Sequence, residues 1–206
     1  TWGDTGFGNQ SFSNNYNFLD IFVSYKAFTA IRLDGSIESW GDENYGGLIG
    51  NEVLNMTFTN IVSIYNESFG AFAGINNNGE IISWTNSSNI MPYTSASTVE
   101  PNNNQLITLS DNNNFNFITG NSGAFAALRN GQIFTWGYQG QISYIFGQQF
   151  QSNDLFDNSN FNFIAYTGLP TAGAFAALKN NGTSIYSWGN YDAGGRGLIS
   201  PEINTG

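Results

Sequence analysis

The sequence predicts an all-β chain built from four successive copies of one small antiparallel sheet, and three observations carry that prediction. A short motif recurs along the chain and ends each time in Trp. A turn signal, Asp-Gly or Asn-Gly, interrupts every copy at the same place. Composition then argues against helix: of 206 residues only 10% are charged, and polarity comes from Asn, Ser, Thr, Gln and Gly, which favour turns. No helical hydrophobic period persists through the copies.

The first complete copy reads Ala27-Phe28-Thr29-Ala30-Ile31, then Asp34-Gly35, Ile37 and Trp40-Gly41. The next reads Gly70-Ala71-Phe72-Ala73-Gly74-Ile75, Asn78-Gly79, Ile81 and Trp84, with Thr85 in place of the glycine. Gly123-Ala124-Phe125-Ala126-Ala127-Leu128, Asn130-Gly131, Ile133 and Trp136-Gly137 follow. The last copy is Gly173-Ala174-Phe175-Ala176-Ala177-Leu178, Asn181-Gly182, Ile185 and Trp188-Gly189. At the start, Trp2-Gly3-Asp4 reads as the tail of a further unit whose front half is missing, an orphan strand.

Each copy carries a hairpin signature. Alternating stretches flank a dipeptide whose Gly35, Gly79, Gly131 or Gly182 tolerates the positive φ that a tight turn requires. A further β-like run precedes each hairpin: 21–25, 61–65, 115–118 and 161–166. The small Ala residues let neighbouring sheets approach, while the Trp and Phe fill the gaps between them. Repeated small sheets of roughly 40–50 residues imply β-propeller blades of three to four strands. A β-solenoid is the alternative, but its rungs are shorter and lack a hairpin turn. The expected layout is a single repeat domain over 1–206, with units at 1–17 (partial), 18–57, 58–105, 106–158 and 159–206.

These residues resemble the repeat of the regulator of chromosome condensation family, whose units run through Ala-Leu, an Asp-Gly or Asn-Gly turn and Trp-Gly to a Gly-rich tail. Gly41-Asp42-Glu43-Asn44-Tyr45-Gly46-Gly47-Leu48-Ile49-Gly50 follows Trp40 as that tail would; the stretch from Asn190 to Leu198 is a looser version. The family's His position is held by Ala27, Ala71, Ala124 and Ala174. The variant looks like repeats of large secreted or surface proteins of microbes. The resemblance implies a propeller; since the family closes seven blades, four units imply an open or partial one. The chain is then a window of a longer protein, a smaller ring, or a subunit whose missing half-blade comes from another molecule.

Charge and missing residue types narrow the function. The net charge is −10, with five basic residues, no His and no Cys. Clustered Lys and Arg for phosphate binding are absent, so nucleic acid is not an expected partner. No apolar run is long enough to insert in a membrane. Zinc fingers, thiol catalysis, Ser-His triads and haem ligation need residues the chain lacks. Carboxylates remain: Asp42 with Glu43, and Asp154 with Asp157, but no pair recurs at equivalent positions, as a glycosidase pair or a repeated site would require. The Asp111–Asn114 run and the 153–158 stretch offer oxygen ligands without a calcium-loop pattern. Neither catalytic residue nor cofactor nor metal is assigned.

Sequons stand at Asn9, Asn55, Asn66, Asn86 and Asn181 as candidate glycosylation sites. With 31 Asn and abundant Ser and Thr, roughly five arise by chance, so they say nothing of secretion. The stretch from Ser87 to Gln105 reads as a loop inserted after Trp84, and 138–150 as an aromatic loop suited to protein or carbohydrate contact. The positions assigned to the repeat are Trp2, Trp40, Trp84, Trp136, Trp188, Phe28, Phe72, Phe125, Phe175 and the four turn glycines. Together these features predict a non-enzymatic structural or adhesive protein, extracellular or at the cell surface. Its partner is another protein or itself, head to tail. A recognition or inhibitor module is the alternative.

Overall fold

The computed structural model of the chain describes residues 17–85, 90–91, 113–138, 159–169, 172–179, 182–195 and 197–199. These form four antiparallel sheets, here called blades. Blade 1 is β1 (Phe18–Val23), β2 (Ala27–Arg32) and β3 (Ile37–Gly41); blade 2 is β4 (Phe58–Tyr65), β5 (Gly70–Asn76) and β6 (Ile81–Trp84). Blade 3 runs β7-β10-β9-β8 across the sheet, with β7 (Ile90–Met91), β8 (Phe117–Gly120), β9 (Ala124–Arg129) and β10 (Gln132–Tyr138). Blade 4 is β11 (Phe161–Leu169), β12 (Ala172–Lys179), β13 (Ser184–Gly189) and β14 (Gly197–Ile199) in order. One short helix, Asn51–Leu54, lies between the first two blades. The all-β expectation and the blade architecture are both met. The loop expected at 87–105 contributes β7, which pairs with β10 through Met91↔Gly137 and Ile90↔Tyr138.

The turns refine the hairpin reading. Asn130 and Gly131 both have positive φ (51° and 73°), and Arg129 pairs directly with Gln132, so this is the two-residue turn the dipeptide predicts. At the first two hairpins only the glycine is positive, Gly35 at 84° and Gly79 at 73°. There the glycine N–H bonds back three residues, to Arg32 O and Asn76 O, both at 2.9 Å. This is a longer loop that begins as an ordinary turn and needs left-handed backbone only at its last position.

Cross-strand pairing places each motif Phe beside its Trp. Phe28–Trp40, Phe72–Trp84, Phe125–Trp136 and Phe175–Trp188 are paired across the hairpins and stacked at 5.4, 5.9, 5.2 and 5.4 Å between centroids. With a side-chain period of two, Phe and Trp share one face of the blade, the back. The motif Ala and the Ile of the second strand share the other, the front. Fronts pack on backs: Ala27, Ile31 and Ile37 share a core with Ile61, Phe72 and Trp84. Ala71, Ala73 and Ile81 do so with Ile118, Phe125 and Trp136, and Ala124, Leu128 and Ile133 with Ile164, Phe175 and Trp188. Because both faces are covered, every residue of β5 is buried.

Two polar links repeat at these joints. The carbonyl of each turn glycine accepts the N–H of the Phe opening the next blade: Gly35–Phe58 at 2.8 Å, Gly79–Phe115 and Gly131–Phe161 at 2.9 Å. The Trp indole reaches back to the hydroxyl preceding the Trp of the blade before: Trp84 Nε1 donates to Ser39 Oγ at 3.3 Å and Trp136 Nε1 to Ser83 Oγ at 2.9 Å. At the third joint Trp188 Nε1 and Thr135 Oγ1 are both buried without a hydrogen-bond partner. There a β-branched Thr, restricted at χ1, stands where serine serves the other two.

The glycine after Trp answers to a different constraint. Gly41, Gly137 and Gly189 have φ of 110°, 139° and 108°. A Cβ there would lie 2.5–2.7 Å from the carbonyl oxygen of Lys26, Gly123 or Gly173. In blade 2 Thr85 holds this place, outside the left-handed region, and its hydroxyl donates to Gly70 O, the equivalent carbonyl, at 2.7 Å. In blades 1 and 4 the backbone N–H of Asp42 or Asn190 bonds that carbonyl, both at 2.9 Å.

Two stability tests follow from these contacts. Gly137→Ala should lower unfolding free energy by about 2–4 kcal/mol, because strained φ and backbone overlap add. Gly182→Ala, at φ 92° but with nothing within 4 Å of its Cβ, should cost about 1–2 kcal/mol. Ser83→Ala should cost about 1–3 kcal/mol by leaving the Trp136 indole unpaired, whereas Thr135→Val should stay within about 0.5 kcal/mol. Denaturant melts of the four variants check these values.

Candidate interaction surface

Of the carboxylates singled out in the sequence, Asp42 serves local structure. Asp42 Oδ1 accepts the Asn44 N–H at 2.9 Å and caps the short 3-10 turn Glu43–Tyr45. After the last Trp-Gly, Asn190 does the same work for Tyr191–Ala193, its Oδ1 accepting from Asp192 N–H at 2.9 Å and Ala193 N–H at 3.3 Å. An uncharged amide therefore substitutes for the acid, so the position requires a capping oxygen rather than a proton donor. Among the described residues no three His, Cys, Asp or Glu side chains gather as a metal site would need. Asp111, Asp154 and Asp157 lie outside the described residues.

The basic side chains among the described residues lie over aromatic rings. Arg32 lies over Phe18 at 4.7 Å and is paired with Glu38. Arg129 covers Phe115 at 5.0 Å and Phe134 at 4.4 Å; Lys179 covers Phe161 at 5.3 Å and Tyr186 at 5.5 Å. Arg32, Arg129 and Lys179 occupy the same repeat position, each held over the Phe that opens its own blade.

Several exposed apolar residues lie on β1, an edge strand of blade 1, and beside it. Leu19, Ile21, Val23 and Tyr25 are exposed, as is Tyr65 at the end of β4. The Tyr25 ring meets Tyr65 edge-on at 5.5 Å and Tyr45 at 5.9 Å, with the Lys26 ammonium 5.0 Å from the Tyr45 centroid. Tyr45 anchors the group: its hydroxyl donates to Glu67 O at 2.7 Å and its carbonyl accepts the buried Ser24 hydroxyl at 2.7 Å. Tyr25, Tyr45, Tyr65 and Lys26 thus form one cluster that joins blades 1 and 2, and the exposed apolar row on β1 runs up to Tyr25 in sequence.

The repeat residues named from the sequence fall as follows. Trp40, Trp84, Trp136, Trp188, Phe72, Phe125 and Phe175 are buried and Phe28 is half-buried. Gly35, Gly79 and Gly131 are turn and joint residues at once, and Gly182 is exposed. Trp2 lies outside the described residues, with Asn9, Asn86 and Asn181. Of the remaining sequons, Asn55 is exposed with its amide donating to Asn51 O at 2.8 Å; Asn66 is buried and its Oδ1 accepts the Ser68 N–H at 2.9 Å. Missed from the sequence was the hydroxyl before each Trp, although Ser39, Ser83, Thr135 and Ser187, and Thr1 before Trp2, display it in every copy. A second missed signal is Phe-x-x-Ile at Phe18, Phe58, Phe115 and Phe161, which starts each blade.

No protein-family model matches the chain, and no curated protein matches it by sequence. Solved structures do. The fold is propeller-like. A match to the crystal structure of Kap60 bound to yeast RCC1 (Prp20) covers 93% of this chain and 49% of that one, at 15% identity and TM-score 0.56. Human WBSCR16 matches over 88% of this chain and 50% of its own, at 14% identity and TM-score 0.55. The CRINKLY WD40 ectodomain of the Arabidopsis thaliana receptor kinase ACR4 matches over 88% and 53%, at 13% and 0.52. The propeller reached from the repeat is thus shared with known structures, and the chain spans about half the length of each.

The Asp34 carboxyl sits below the usual carboxylate range, first because the Ser36 hydroxyl donates to it at 2.6 Å and next because the Ser36 N–H does so at 2.9 Å. Both bonds favour the ionised form, so the turn gains stability above the unfolded carboxylate pKa and loses it as pH falls through the depressed value. Ser36→Ala should move the Asp34 pKa back upward, read by NMR titration of its side-chain carbonyl; an unchanged midpoint would assign the shift elsewhere.

Proposed function

We propose that this chain is a non-catalytic scaffold for protein contact, working outside the cell or at its surface in a structural or adhesive role and associating head to tail. The observation that carries the reading is the exposed apolar row on β1 with its neighbouring Tyr25–Tyr65 cluster. A patch of this kind on a rigid sheet fits a protein partner, where aromatic rings supply contact area at low entropic cost. The small share of charged residues and the Asn-, Ser- and Gly-rich composition fit a protein-contact role, and the net charge of −10 disfavours nucleic acid. Neighbouring folds support protein partners in general: RCC1 is seen with Kap60, Prp20p is described by its binding to Gsp1p and histones, and the ACR4 match is a receptor ectodomain.

The same Tyr25, Tyr45 and Lys26 cluster favours a second reading, a recognition or inhibitor module that holds one protein. Electron microscopy of the purified chain separates the two: ordered strings or fibres support the scaffold, and discrete monomers that capture one partner at sub-micromolar affinity support the module. Hydrolysis of a glycan panel that disappears on replacing one carboxylate pair would remove the non-catalytic reading.

A further inference from the structure

The seventh residue after each blade-opening Phe stands near the end of the strand that Phe leads into: Tyr25, Tyr65, Ser122 and Gly168. Register supports the equivalence, since Tyr65 pairs with Gly70 and Gly168 with Gly173, each one place before the motif Ala. The joints bring this position together from consecutive blades. At the third joint a Cβ on Gly168 would lie 3.6 Å from Ser122 N. At the first joint both places hold tyrosine, and the two rings meet edge to face at 5.5 Å between centroids. Tyrosine stands opposite tyrosine at this position in no other of the three joints.

Both tyrosines hang from fixed backbone. The Ser24 N–H donates to Ala27 O at 2.9 Å and the buried Ser24 hydroxyl to Tyr45 O at 2.7 Å, which holds the turn carrying Tyr25. Tyr65 is the last rung of β4 against β5. Two residues before each ring, Ser63 Oγ donates to Val23 O at 2.8 Å and ties β4 to β1 directly.

Access separates this pair from its neighbour. Tyr65 on blade 2 is 48% exposed and Tyr25 38%. Tyr45 also lies against Tyr25, at 5.9 Å, but it is only 6% exposed and its hydroxyl is held by Glu67 O at 2.7 Å. The chain has no Cys, so no disulfide can close a joint covalently, whereas two phenols in ring contact offer another chemistry.

We propose that Tyr25 and Tyr65 form an oxidative cross-link, a dityrosine that staples blade 1 to blade 2. The oxidant is hydrogen peroxide, delivered by an enzyme of the peroxidase class. Each phenol gives up one electron and its hydroxyl proton. The two phenoxyl radicals then couple through a carbon ortho to the oxygen, Cε on each ring. As the rings regain aromaticity, each ortho C–H bond breaks and its proton returns to the oxygen. The two electrons and two protons removed reduce one hydrogen peroxide to two waters. The new bond closes the chain between the two residues into a loop, which restricts the unfolded state. It stands apart from the scaffold reading, since it depends on one joint and on no partner.

The test treats the whole chain, at low concentration, with a haem peroxidase and hydrogen peroxide. The expected product is a monomer lighter by two hydrogens, with dityrosine fluorescence, whose proteolytic map joins the peptide of Tyr25 to that of Tyr65. Tyr25→Phe and Tyr65→Phe keep the ring and should fold, but each should abolish this product, because phenylalanine has no hydroxyl to oxidise. Tyr166→Phe, at a residue 56% exposed on blade 4, should leave it undiminished. The cross-linked wild type should also unfold about 5–10 °C above the equally treated Tyr65→Phe chain. A chain that yields no such monomer, or cross-links that map only to other tyrosines or only between chains, overturns the proposal. A Tyr25–Tyr65 product that melts no higher overturns its role as a staple.

Discussion

The joint between blades is the constraint on which the rest of this structure depends. A stacked Phe–Trp pair is bulky and flat, so it can be buried against a sheet only if that sheet offers small residues opposite it. The motif Ala residues provide that relief, and Ala71, Ala73, Ala124 and Ala126 are fully buried beneath the neighbouring rings. A larger side chain at these places would separate the blades and open gaps where dispersion contacts now lie. Alternation along each strand then does the sorting: the Ala before each motif Phe points forward and the Phe and Trp backward, in every copy.

Polar contacts give the joint its register. Apolar faces can slide, but the bond from a turn glycine carbonyl to the next Phe N–H has one place to form. The indole–hydroxyl bond adds a second fixed point where serine precedes Trp. Together they explain why the turn glycine is retained even where the turn itself differs in type. Gly35 and Gly131 sit in loops of different length, yet each carbonyl meets the following blade at nearly the same distance. The glycine thus serves the joint as well as the turn.

Substitutions between copies show which requirements are chemical and which are geometric. Thr85 replaces a left-handed glycine and recovers the lost backbone bond through its hydroxyl. Asn190 replaces Asp42 as a cap with no change in the oxygen that matters. Arg and Lys exchange over the opening Phe because a cation near the ring face is what the place requires. Such exchanges bear on function too. An acid that an amide can replace, and cations held on aromatic rings, leave the exposed aromatic and apolar residues as the part of the described surface with the most to offer a partner.

By itself the sequence determined the fold class, the number of hairpins and the positions of the Trp, Phe and turn glycines, because a period-two pattern broken by Asn-Gly or Asp-Gly is a local signal repeated four times. The serine or threonine before each Trp was equally visible there, but its purpose was not, since its partner lies in another blade some fifty residues away. Tertiary structure alone decided which face of each blade receives the next, which carbonyl the turn glycine offers, and that Ile90–Met91 completes the third sheet. It also decided which residues remain exposed. Ile21 and Ile61 read alike in their repeats, yet among the described residues Ile61 lies in a core with blade 1 while Ile21 is exposed.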